Sequence, residues 1–305
     1  MIVAPIVLFV YNRLYHTTKT IAALQKNILA ADSELFIFSD GARSAADEEN
    51  VRAVRDFLRT VTGFKKVELI EREKNYGLAK NIIDGVTTIV NRFGKIIVLE
   101  DDLVTSPFFL QYMNEALHRY EHDDRVACIH GYVYPVKREL PETFFLKGAD
   151  CWGWATWKRG WDLFEADGQK LMDILQQKNL TREFDYDGAY HFTLMLQHQI
   201  KGINNSWAVR WHASAYVKDK LTLYPGRSLV QNIGNDGSGI HSGSSAVYDV
   251  PLTETPVAVT DIPVKVSAAG RAAFVHYFNA IKPGWLQRTL TKFKIMVKHV
   301  ITKKN

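Results

Sequence analysis

The run Ile96-Ile97-Val98-Leu99 leads without a break into Glu100-Asp101-Asp102. The four apolar residues read as a buried strand, and the acids fall where that strand ends. Three adjacent carboxylates repel one another and add nothing to a core. A divalent cation carrying phosphates relieves that repulsion. Mg²⁺ and Mn²⁺ take oxygen ligands and are held by one or two carboxylates plus substrate phosphates. A solvated loop is the ordinary fate of an acidic triplet; the strand in front of this one turns the reading towards a metal–nucleotide site.

The elements that must carry these acids alternate in type. Strands are expected over residues 6–10, 35–38, 66–70 and 95–99, with helices over 17–27, 45–60 and 78–91. In the second helix Val51, Val54, Phe57 and Leu58 recur at the spacing of one helix face. A further helix is expected after Pro107. Repeated β–α units of this length imply an α/β fold with a mostly parallel, doubly wound sheet. Polar groups follow each strand: Tyr11-Asn12-Arg13, Ser39-Asp40-Gly41, Asn75-Tyr76-Gly77 and the acids. Singly these are ordinary turns. Together they should line one cleft, because parallel strands bring their carboxyl ends to one edge. There Asp40 could accept from a base N–H, and Arg13 could face a phosphate.

The 305 residues are enough for one large domain, or for one domain with an appendage. The net charge of +5 is unevenly spread, with no acid after Asp261. Two cysteines, Cys128 and Cys151, make no disulfide framework, so reduced thiols and a cytoplasmic setting are expected. Cys128 lies in the apolar run Val126-Ala127-Cys128-Ile129 and reads as a small core residue. The apolar N-terminus lacks a basic leader and a small-residue cleavage site, so it reads as a first strand. No apolar run reaches the roughly 18 to 20 residues of a spanning helix.

The segment Pro5-Ile6-Val7-Leu8-Phe9-Val10-Tyr11-Asn12-Arg13, the Ser39-Asp40-Gly41 turn, Asn75-Tyr76-Gly77-Leu78-Ala79 and the acidic triplet together resemble the ordered motifs of GT-A fold glycosyltransferases, most of all the inverting family 2. The triplet with Leu103 and Pro107-Phe108-Phe109 is also similar to a segment of the N-acetylglucosaminyltransferase that starts complex N-glycans. The likeness covers roughly residues 5–245. It implies a GT-A catalytic domain over 1–245, with a nucleotide-binding half over 1–110 and an acceptor-binding half over 111–245. A packing extension over 246–284 and a basic tail over 285–305 would follow. The resemblance implies a transfer of a hexosyl or N-acetylhexosaminyl group from a nucleotide-sugar donor to a saccharide or lipid-linked saccharide. Asp102 would ligate Mn²⁺ or Mg²⁺, and Asp101 and Glu100 would contact donor hydroxyls. Asp40 would read the base, with Tyr11, Asn12, Arg13, Asn75 and Gly77 around the nucleotide. The family often carries an arginine where Lys80-Asn81 stands here, which leaves the part played by Lys80 open.

Trp152, Trp154, Trp157 and Trp161 put four of seven tryptophans within ten residues. Either they form a core cluster, or their flat faces meet a sugar, with Trp152, Trp154 and Trp157 as the acceptor platform. Inverting transfer needs a base for the acceptor proton. The candidates are Asp187 and Asp185, then His191; the competing role for the two acids is capping of the helix expected over 190–201. The run Ser206-Trp207-Ala208-Val209-Arg210-Trp211 alternates like a strand. The glycine-rich segment from Asn232 to His241 reads as an ordinary surface loop, or, as the GT-A resemblance implies, as the loop that closes over the donor, with His241 near the metal or diphosphate.

The acid-free tail 285–305 reads either as an amphipathic helix on an anionic membrane surface, at the inner face of the cell membrane, or as a terminal helix packed on the domain with a solvated basic face. The same charge lacks any nucleic-acid-binding fold. Two rival functions stay open. A nucleotidyltransferase would need a glycine-rich phosphate loop where Tyr11-Asn12-Arg13-Leu14 stands, and a non-catalytic saccharide-binding protein could keep the tryptophans and lose the chemistry.

Overall fold

The computed structural model describes residues 3–237 and 246–282. His241 and the tail 285–305 lie outside the described residues. In chain order the elements are β1 Ile6–Val10, α1 Leu14–Gln25, β2 Glu34–Ser39, α2 Ala45–Leu58, β3 Lys66–Glu71, α3 Leu78–Phe93, β4 Lys95–Glu100, β5 Leu103–Thr105 and α4 Phe109–Arg119. They continue with β6 Val126–His130, β7 Thr143–Lys147, β8 Trp154–Trp157, α5 Lys158–Trp161, α6 Gly168–Gln177, α7 Thr181–Phe184, α8 Phe192–Ile200, α9 Trp207–Val217, β9 Leu221–Pro225, β10 Val230–Asn232 and α10 Ala268–Ile281.

Eight strands form one sheet in the order β3-β2-β1-β4-β8-β6-β9-β7. The first four are mutually parallel, while β8 runs antiparallel to both β4 and β6. β9 is parallel to β6, and β7 closes the far edge antiparallel to β9. This is the expected α/β architecture with a mostly parallel sheet.

The central strands are apolar on both faces because helices cover both. Ile6, Leu8, Val10, Ile37 and Leu99 point into the layer filled by α1, α2 and α4. Val7, Phe9, Phe38 and Val98 point the other way, towards α3 and α9. Gly85 lets α3 approach that second face: a Cβ there would stand 2.7 Å from the Phe9 ring. α10 packs Phe274 and Phe278 against Phe144 and Tyr224, so the segment after 246 contributes its own apolar cluster. Cys128 is fully buried, as its apolar setting implies.

One expected element changes type. Residues 207–211 are helical, the first turns of α9, and not a strand. Six alternating residues fit both periods, because Trp207 and Trp211 are also i and i+4 on one helix face. Ser206 settles the matter locally: its hydroxyl accepts from the Val209 N–H at 3.2 Å, an N-terminal cap. Among the described residues, no helix is long and apolar enough to cross a membrane.

Candidate active site

The four parallel strands deliver their carboxyl ends to one edge, and the expected polar groups meet there. Arg13, just after β1, forms ion pairs with Asp101 and, at 2.7 Å, with Asp102. Thr20 of α1 donates to the Asp101 carbonyl at 2.8 Å. The acid turn is covered from the far end of the sequence. β10 pairs antiparallel with β5, and the Ile233 N–H donates to the Asp102 carbonyl at 2.9 Å. Gly234 lies so close that a Cβ would stand 2.1 Å from Asp102 Oδ2. Two residues on, Asp236 meets the buried His16 Nε2 at 3.1 Å.

The charge in this turn is poorly balanced. Burial, then the Asp102 and Asp101 charges, push Glu100 up to about 8. Burial and Asp102 raise Asp101 to about 6, although Arg13 opposes them. The two carboxylates bias Arg13 further towards its charged form, against the cost of its burial. One guanidinium thus faces three carboxyl groups.

The other residues expected around the nucleotide form a tied pair of loops. Asp40 is buried, and its oxygens accept from the Gly41, Tyr76 and Gly77 N–H groups and from Asn75 Nδ2, at 2.8–3.2 Å. In this structure Asp40 therefore fastens the turn after β2 to the turn before α3, with its oxygens already occupied. Gly41 permits the approach, since a Cβ there would lie 2.4 Å from the Lys74 carbonyl carbon. Gly77, at φ +72°, holds a conformation that suits glycine alone. Tyr11 accepts from the Arg43 N–H at 2.9 Å, and Asn12 donates to Asp47 at 3.0 Å. Lys80 lies over the Tyr76 ring at 4.3 Å and lines a cleft of about 420 Å³ with Asp84, Thr87 and Arg210.

Two acceptor-side expectations are corrected. Trp154 is fully buried and packs against Trp161, Trp207 and Trp211, with ring centroids 5.7–5.8 Å away. Trp157 is buried too, and its Nε1 donates to the Leu117 carbonyl at 3.1 Å. Alternation along β8 turns these rings into opposite faces of the sheet, where no sugar reaches them. Trp152, half-buried ahead of the strand, is the one of the three that stays partly open.

The acids ahead of α8 are both engaged. Asp185 accepts from the Thr193 N–H at 2.7 Å, which is the capping role. Asp187, at φ +58°, is paired with Arg271 at 2.6 Å, and that guanidinium lowers its pKa. His191 is exposed at the N-cap position of α8. Sequence reading passed over one further carboxylate. Asp150, between β7 and β8, accepts from Tyr224 Oη at 3.1 Å and from the Cys151 N–H at 2.8 Å. Its only sequence signal was its place ahead of the tryptophan cluster.

No curated protein matches this chain. Among solved structures, the Pyrobaculum calidifontis mannosyltransferase PcManGT in complex with GDP-Man and Mn²⁺ aligns with TM-score 0.31 and 15% identity. That alignment covers 43% of this chain and 38% of the other. S. aureus TarS aligns with TM-score 0.31 and 12% identity, over 47% of this chain and 24% of that one. TarS 1–349 in complex with UDP-GlcNAc gives TM-score 0.31 and 10% identity, over 45% and 37%. Each alignment spans less than half of the chain it matches. Residues 6–177 match the family model described as glycosyl transferase family 2, and that match takes in the β1 turn, Asp40, the acid turn and Asp150. On that match, covering more than half of its residues, the chain belongs to glycosyl transferase family 2.

Proposed function

We propose that this protein transfers one sugar, hexosyl or N-acetylhexosaminyl, from a nucleotide-diphosphate donor to a saccharide hydroxyl, with inversion at the anomeric carbon. The acceptor would be a free or lipid-linked saccharide in bacterial surface glycan synthesis, the setting that the family resemblance implies. The observation that carries this reading is the acid turn at the carboxyl edge of β4, where three carboxyl groups stand in a row and one arginine pairs with two of them.

A divalent metal fits those residues. Carboxylate oxygens are the hard donors that Mn²⁺ and Mg²⁺ prefer, and burial first, then the neighbouring carboxylates, raises the affinities of Glu100 and Asp101 for protons. Among the described residues no cluster of three His, Cys, Asp or Glu forms a cage. A nucleotide-borne ion needs none, since phosphates complete its shell. Asp102 would hold it, and the ion would neutralise charge on the departing diphosphate. Arg13 would turn from the carboxylates towards that diphosphate, and the loops fastened by Asp40 would border the nucleoside.

Donor binding by the whole protein, across UDP-, GDP- and dTDP-sugars with Mn²⁺ or Mg²⁺, tests the reading. One donor should bind in a metal-dependent way and release nucleoside diphosphate slowly, with both signals lost in Asp102→Ala. Binding of no donor with either metal would sink it. NMR of the product anomer tests inversion, and a retained configuration would exclude single displacement.

A further inference from the structure

Single displacement needs a carboxylate that is free of cationic partners and reaches the volume beside the departing diphosphate. It must also lie among groups that can seat a sugar. Asp187 fails the first condition through Arg271, and Asp185 caps α8 through the Thr193 N–H. Asp150 pairs with no lysine or arginine among the described residues and sits on the connection that enters β8 beside the end of β4.

Its position follows from the sheet. β8 enters antiparallel to β4, with Trp154 opposite Val98. One residue earlier, a Cβ on Gly153 would lie 3.5 Å from Leu99 Cδ2. The connection 148–153 therefore rises alongside the strand end that carries Glu100 and Asp102. Cys151, next to Asp150 on that connection, feels both groups of acids: burial first, then the charges of Asp150, Glu100 and Asp102 among others, hold its thiol well above the usual range.

Asp150 has no lysine or arginine partner among the described residues. The nearest ionisable nitrogen is His130 Nε2 at 3.7 Å. That ring is buried, which favours its neutral form, and its Nε2 already accepts from the Trp152 N–H at 3.1 Å. Each Asp150 oxygen takes one hydrogen bond, from Cys151 or Tyr224, and so keeps a lone pair. Its side chain is 23% exposed.

The surroundings are aromatic. Trp152 meets Tyr132 at 4.8 Å and Tyr248 at 5.6 Å between ring centroids. The Asp150 charge reaches the phenols of Tyr134, Tyr190 and Tyr224. Trp152, Tyr190 and Tyr248 stay half-buried, so they offer faces and hydroxyls to a ligand.

Given the glycosyl-transfer reading above, we infer that Asp150 takes the acceptor proton and that Trp152, Tyr190 and Tyr248 form the wall against which the acceptor sugar lies. The acceptor oxygen bonds to the anomeric carbon of the donor. The bond from that carbon to the diphosphate oxygen breaks, and its electron pair leaves with the diphosphate. The hydroxyl proton passes to the Asp150 carboxylate.

The test uses the whole protein, the sugar nucleotide selected by binding, and p-nitrophenyl glycosides or water as acceptor. Asp150→Asn should lower kcat by about 100-fold or more, while donor affinity and Tm stay at wild-type values. Asp150→Glu should keep part of the turnover with a shifted acid limb in the pH profile of kcat, which a structural role would not produce. It also decides the matter if the Asn variant fails to fold. Turnover by a folded Asp150→Asn within about threefold of wild type would overturn the assignment, as would a 100-fold loss found in Asp187→Asn instead. Failure of the wild type to bind any donor would overturn the glycosyl-transfer reading, and this assignment with it.

Discussion

A methyl group added at Gly234 would stand 2.1 Å from Oδ2 of Asp102, so Gly234→Ala must move either the carboxylate or the backbone after β10. The Gly234 φ is not positive, so alanine meets no intrinsic backbone penalty there. The expected outcome is a fold of ordinary stability whose metal-dependent donor affinity falls about tenfold, or ~1.4 kcal/mol. Calorimetric titration beside a melting curve separates the two effects; unchanged affinity would mean that Asp102 does not face the donor. At this scale the sequence was legible where chemistry is written in residue type. The convergence of Arg13 with Asp101 and Asp102 follows from strand ends alone. The Asp150 setting was not legible. It depends on β6 pairing with both β8 and β9 while β7 closes on β9, and nothing local to Gly148-Ala149-Asp150 announces that.

The first four strands and the helices between them were readable as elements because each carries a single clear period. The tryptophan segments were not. Large rings satisfy a strand, a helix or a ligand wall equally well, and only their partners decide. Trp211, fully buried against Trp154 and Trp161, should cost about 3–5 kcal/mol when replaced by alanine. Trp152→Ala should cost about 1–2 kcal/mol, because its ring is already half in solvent. Urea denaturation of the two variants checks this ranking, and equal losses would place Trp152 in the core and away from any ligand. The same comparison bears on α9, which Trp207 and Trp211 anchor to β8 through Trp154.

Across the whole molecule, the acid turn ties stability to pH. Glu100 is raised from 4.5 to about 8, so the folded protein binds more protons than the unfolded chain between those values. Stability must therefore fall as pH rises through that window. The melting temperature of the metal-free protein should be lower at about pH 8 than at about pH 5.5, and Glu100→Gln should flatten the trend. Mn²⁺ with nucleoside diphosphate should recover most of the loss at the upper pH; an unaltered slope in Glu100→Gln would place the cause elsewhere. The order β1-β4-β8-β6 has a different consequence, for synthesis. β4 gains its second neighbour only when residues 154–157 arrive, more than fifty positions later in the chain. Until then a nascent chain presents Ile96 to Leu99 as a bare, apolar strand margin, which invites pairing with other chains. The first 110 residues are thus no interchangeable module: a fragment ending near residue 110 should aggregate, and one that continues past α5 has that margin covered.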